Sequence, residues 1–116
     1  MQRQVSGGIE LACDFCGVTW DQVKPMIEGH RGSILCLECL AKAIEQGTES
    51  EEAFTCTMCR VEREQGMKRW HFEPRPANAN QEAALCWDCV QQADRAFDKD
   101  ADVPWTRRLE PTERWK

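Results

Sequence analysis

The densest chemistry in this 116-residue sequence is carried by eight cysteines in four pairs of one pattern: Cys13/Cys16, Cys36/Cys39, Cys56/Cys59 and Cys86/Cys89. Two cysteines separated by two residues direct both thiolates at one point across a tight turn. A second such pair completes a tetrahedral shell, which Zn²⁺ fills well with four thiolates. The first two pairs bracket 19 residues and the last two bracket 26, spacings that read as two zinc sites. All eight cysteines are then ligands. Four thiolates leave no open coordination position, so both ions are expected to be structural, contributing on the order of 10 kcal/mol or more each to folding. No residue is expected to be catalytic, and the chain is read as a non-enzyme.

Other uses of the pairs fit less well. Thioredoxin-like redox chemistry needs one Cys-x-x-Cys in a βαβ frame, and here there are four pairs. No hydrophobic run near Met1 reads as a signal peptide or membrane span, so a cytoplasmic location is expected. In that reducing compartment metal is favoured over disulfides. A cross-braced pattern, with pairs one and three on one ion and pairs two and four on the other, is the alternative to sequential pairing. Sequential pairing closes shorter loops.

The elements that must position these ligands repeat in order. Residues 1–10 read as a flexible arm, 11–48 as a first module, 49–52 as a solvated linker, 53–100 as a second module and 101–116 as a C-terminal tail. In the first module, Met26-Ile27-Glu28 and Ser33-Ile34-Leu35 are expected to pair as a hairpin. In the second, Trp70-His71-Phe72 and Ala83-Ala84-Leu85 are expected to pair around a longer loop containing Pro74 and Pro76. Each second cysteine pair opens a helix. Leu37, Leu40, Ala41 and Ile44 form one apolar stripe, with Gly47 as its stop, and Val90, Ala93 and Phe97 form the other. Gly17 supplies the positive φ that a zinc knuckle requires, whereas Arg60 stands at the matching place in the second module. The tail shows no clear period and reads as extended, with Trp105 or Trp115 as its packing residues.

With two full cysteine shells, His30 and His71 are expected to be exposed or hydrogen-bonded rather than ligands. Trp20 and Trp70 read as core, and Trp87, between two ligands, as a shield or interface residue. The formal net charge is −5, and two tetrathiolate zinc sites, each adding a net −2, take it to about −9. That lacks the positive field of a general nucleic-acid binder. Local basic patches remain at Arg60, Arg63, Lys68, Arg69 and Arg75, and at Arg107, Arg108, Arg114 and Lys116. No membrane association is expected.

Leu11 to Gln46 resembles the N-terminal zinc-binding domain of the ClpX unfoldase. The likeness rests on Cys13-x-x-Cys16-Gly17, on Gln22-Val23-Lys24 and Met26-Ile27-Glu28-Gly29, and on Ile34-Leu35-Cys36-x-Glu38-Cys39 leading into a helix. The resemblance implies a treble clef of knuckle, β-hairpin and helix, with Cys13, Cys16, Cys36 and Cys39 as ligands. It also implies a domain that dimerises and docks substrates or adaptors. The chain has no GxxxxGK[ST] phosphate loop, so no attached ATPase is expected. The expected architecture is thus small, α+β and zinc-stabilised: tandem treble-clef-like fingers, the second a degenerate copy, packed as an intrachain pseudo-dimer. The expected role is a protein-interaction module, an adaptor or regulator, as monomer or homodimer. Nucleic-acid binding through the Arg/Lys patches is the alternative.

Overall fold

The computed structural model describes residues 1–109. The chain opens with a hairpin of β1 (Gln2–Val5) and β2 (Gly8–Leu11). The first module follows with β3 (Met26–Glu28), β4 (Ile34–Cys36) and helix α1 (Leu37–Gln46). After β5 (Thr48–Glu49) come the second module's β6 (Phe54–Thr55), β7 (Glu62–Arg63), β8 (Lys68–Trp70), β9 (Leu85–Cys86) and helix α2 (Trp87–Lys99).

The opening residues are not a loose arm. β1 and β2 pair antiparallel with Arg3 opposite Glu10, and those side chains form a 3.0 Å ion pair. The Arg3 guanidinium also donates to the Gly17 carbonyl at 3.0 Å and to the Asn78 carbonyl at 3.2 Å. One cation thus ties the hairpin to both modules.

Each module has the knuckle, hairpin and helix expected. In the first, β3 and β4 pair Met26 with Cys36 and Ile27 with Leu35. In the second, β8 and β9 pair Arg69 with Cys86 and Trp70 with Leu85. The second hairpin therefore lies two residues earlier than the aromatic run 70–72 indicates. Phe72 instead packs edge-on against Trp70, ring centroids 4.8 Å apart. The presumed linker is also structural: β5 pairs with β8, giving a three-stranded order β5-β8-β9. Ser50 is buried, its amide donating to the Met67 carbonyl at 3.0 Å, while Glu49, Glu51 and Glu52 face solvent.

Neither module closes a core by itself. Phe15, Leu35, Leu40 and Ala43 of the first form one buried cluster with Met58, Trp70, Leu85, Val90, Ala93 and Phe97 of the second. Trp70 stacks 5.9 Å from Phe15, and its indole N–H donates to Gln46 Oε1 at 3.1 Å across the boundary. The two modules thus pack face to face within one chain. Modules this small bury too little apolar surface alone, and sharing one core relieves that shortage. Gly47 does stop α1, its amide bonding the Ala43 carbonyl at 2.9 Å. The reason is not backbone freedom, because its φ is −56°. A Cβ there would lie 2.5 Å from Trp87, so the glycine admits an indole of the other module.

The tail is anchored as far as it is described. Asp94, on α2, is fully buried. Its carboxylate accepts the Trp105 indole N–H at 2.8 Å, the Arg108 amide at 3.0 Å and the Leu109 amide at 2.8 Å. Trp105 packs on Phe97 beneath the Arg108 guanidinium, 4.1 Å from the ring centre. The expectations for Arg114, Trp115 and Lys116 lie outside the described residues. No helix among the described residues is long and apolar enough to cross a membrane.

Candidate metal centres

The knuckles show how alike the modules are. Cys13 N–H bonds the Val18 carbonyl at 2.9 Å, and Cys56 N–H bonds that of Val61 at 3.1 Å. Gly17 and Arg60 both donate back to the first cysteine's carbonyl at 2.9 Å. Both take positive φ, 79° and 63°, so Arg60 carries a left-handed strain of roughly 1 kcal/mol that glycine avoids. The residue after the first cysteine locks the knuckle to the hairpin in both. Asp14 N–H bonds the Ile34 carbonyl at 2.9 Å while Asp14 Oδ1 accepts the Ile34 amide at 2.9 Å. Thr57 N–H bonds the Ala84 carbonyl at 2.8 Å while its hydroxyl accepts the Ala84 amide at 2.9 Å.

The second pair in each module sits at a helix start. Cys36 and Cys86 are the N-caps of α1 and α2, and Cys39 and Cys89 lie three residues on, on the same face. Unpaired amides and the positive end of the helix dipole favour thiolates there.

The eight sulfurs gather into two groups: Cys13, Cys16, Cys36 and Cys39, and Cys56, Cys59, Cys86 and Cys89, each within 4.8 Å. Pairing is therefore sequential, not cross-braced. In the first cluster Sγ atoms stand 3.7 Å (Cys13–Cys39) and 3.8 Å (Cys16–Cys36) apart. In the second they stand 3.7 Å (Cys56–Cys89) and 3.9 Å (Cys59–Cys86) apart. A tetrahedron with Zn–S of about 2.3 Å has edges of about 3.8 Å, whereas a disulfide needs about 2.05 Å. The donor set and its geometry fit two structural zinc ions.

Without a cation, such crowding separates the thiols. Hydrogen bonding with Cys16, then Cys36 and Cys39, holds Cys13 well below the ordinary thiol range. Hydrogen bonding with Cys86 and Cys89 does the same for Cys56. Their neighbours go the other way: Cys39 is raised, chiefly by its bond to Cys13, and Cys86 is pushed up to about 12, chiefly by its bond to Cys56. Zinc must displace those protons. The loaded state binds fewer of them, so zinc binding weakens as pH falls.

Both clusters consist of cysteines alone; neither His30 nor His71 joins one. His30 is exposed, though its amide bonds the Met58 carbonyl across the module boundary at 2.8 Å. His71 Nδ1 lies 2.8 Å from the Phe72 carbonyl. Trp87 is half-buried beside its cluster with Lys68 Nζ 4.2 Å from its ring centre. Trp70 is core, but Trp20 is 40% exposed. Two residues escaped the sequence reading. Arg63, seen only as one of a basic patch, donates to Cys59 Sγ at 3.5 Å. Asp94 had no signal, because its partners lie 11 to 15 residues onward in a segment without period.

The fold and the two shells define a class: tandem treble-clef zinc fingers, each with four cysteine ligands. Residues 11–46, about a third of the chain, match the model of the ClpX C4-type zinc finger. The second four-cysteine cluster, with its repeated knuckle bonds, is a degenerate copy of that finger. No solved structure matches the chain.

Proposed function

We propose that this chain is a non-catalytic protein-interaction module, an adaptor or regulator, whose first finger presents the docking surface. One observation carries the reading. Leu11, Trp20, Met26, Ile27 and Ile34, with Glu28 at the edge, line an open groove of about 240 Å³ on the first module. Trp20 stays 40% exposed there, and Val23, in the turn before β3, is 83% exposed. That turn is fixed: Asp21 Oδ1 accepts the Val23 and Lys24 amides, each at 2.9 Å. These bonds, Lys24 first, hold the Asp21 carboxyl below its ordinary value. An apolar surface held on a rigid frame is costly to leave in water and suits partner recognition. The resembled family, whose zinc domain docks substrates or adaptors, supports the same reading.

The nucleic-acid alternative draws less support. Most of the basic patch is engaged internally: Arg63 with Asp88, Arg75 with the Ala83 carbonyl, Lys68 over Trp87 and Arg69 over Phe54. The non-catalytic part of the reading is supported by the two four-cysteine clusters, which leave a zinc ion no open coordination position. The test is capture from the native cell with the wild-type chain and with Trp20→Ala. Protein bound by wild type in high salt and lost from Trp20→Ala is the expected result. Capture of nucleic acid that fades as salt rises would replace this reading with the alternative.

A further inference from the structure

The two clusters share their backbone scaffold but not their side-chain surroundings. In each, one ligand of the knuckle is half-exposed, Cys16 in the first and Cys59 in the second, and both are the second cysteine of their knuckle. Arg63 lies over Cys59. Its Nη2 is 3.5 Å from the sulfur and its Nη1 is 3.3 Å from Asp88 Oδ2. Asp88 sits between Cys86 and Cys89 on the first turn of α2, so the guanidinium bridges the knuckle strand to the helix that bears the other two ligands. The counterpart of Arg63 in the first module is Trp20. Arg63 pairs with Phe54 across the knuckle strands, and Trp20 donates its amide to the Leu11 carbonyl at the same place, 2.7 Å away. An indole brings no charge. Among the described residues, no Lys or Arg side chain donates to a thiolate of the first cluster; Cys13 receives the Phe15 amide at 3.4 Å and Cys16 the amide of Val18.

We propose that Arg63 is an outer-sphere partner of the second zinc that shields the Cys59 thiolate, and that the two zinc centres therefore differ in reactivity, the first opening to electrophiles before the second. A zinc tetrathiolate carries a net charge of −2, and its sulfur lone pairs remain nucleophilic. A charge-assisted N–H···S bond withdraws density from the sulfur, as outer-shell partners do at metal sites generally. The guanidinium stands against the half-exposed Cys59 sulfur. Among the described residues, no cationic side chain stands in that way against Cys16, which is half-exposed too.

Iodoacetamide is the probe. A cysteine sulfur forms a bond to the methylene carbon as the carbon–iodine bond breaks, and iodide leaves with the electron pair. The thioether product is neutral and a poor zinc ligand. The full zinc-loaded chain is treated with the reagent, labelled cysteines are mapped by mass spectrometry over time, and released zinc is read with a chromogenic chelator. The expected order is Cys13, Cys16, Cys36 and Cys39 before Cys56, Cys59, Cys86 and Cys89, with rates proportional to reagent concentration. Labelling of the second cluster first, or of both together, overturns the proposal with no variant needed. Arg63→Met should speed labelling of the second cluster roughly tenfold or more while two zinc ions per chain are retained, and Arg63→Lys should restore part of the protection. A two-zinc Arg63→Met protein with unchanged order and rates overturns it. So does a gain in rate independent of reagent concentration, because that reports unfolding rather than direct attack.

Discussion

The first finger matches the model of the ClpX C4-type zinc finger and the second is its degenerate copy, yet the backbone bonds of their knuckles are the same. The difference lies in what each module shows to solvent. At Leu11 and Trp20 the first has an apolar groove. At the matching Phe54 and Arg63 the second has a recess whose walls include Glu62, Arg63 and Glu64. The ligand geometry of a four-cysteine finger is demanding, so it is kept. The surface is free to change, and one copy has become charged where the other is greasy. The ligand scaffold and the solvent-facing surface of this fold are therefore separable.

The comparison can be broken most severely at the metal. Two zinc ions per chain are expected by elemental analysis. Cys36→Ser removes the first shell at a cost on the order of 10 kcal/mol. If the halves depend on one core, circular dichroism will show the second module losing structure too; a variant retaining one zinc and an intact α2 would show it self-sufficient.

Asp94→Ala tests the anchored tail, a feature of the second module. It leaves three N–H donors without their carboxylate and should cost about 2–4 kcal/mol in denaturant unfolding. Proteolysis after residue 100 should quicken, and an unaltered rate would show that packing of Trp105 alone secures the tail.

Gly47→Ala sharpens the comparison at the boundary. The new methyl would meet Trp87 at 2.5 Å, an overpacking cost of about 1–3 kcal/mol. Trp87 stands where the first module has Leu37, so adding Trp87→Leu should recover much of the loss, read as coupling in a double-mutant cycle. The smallest effect is expected at Arg60→Gly. Relief of the positive φ is offset by the freedom glycine gains when unfolded, leaving a change within about 1 kcal/mol, neutral or stabilising. A larger loss would show that the Arg60 side chain has a structural partner.

The ligands, their sequential pairing and the two helix stripes were legible because each follows from local spacing. The first hairpin was legible because its apolar residues are contiguous with Cys36. The second was read two residues late, since Trp70-His71-Phe72 looks like a strand while the true one, Lys68-Arg69-Trp70, is mostly charged. Its partners are distant: Lys68 pairs back to Glu49 and Trp70 pairs forward to Leu85, beyond any local pattern. The opening hairpin did leave a trace, in Ser6-Gly7 between strands that set Arg3 opposite Glu10, but so short a pair signals weakly. Trp20 defied expectation because composition cannot separate a core tryptophan from one left partly exposed.

The shared core has a consequence for behaviour on dilution. Two separate chains joined through such a face would part as their concentration fell, by mass action. Here a short connection running through Thr48–Glu49 holds each half at an effective concentration of about millimolar or more relative to the other. The pairing of the fingers is therefore insensitive to how much protein the cell makes, and a scarce chain is as fully assembled as an abundant one.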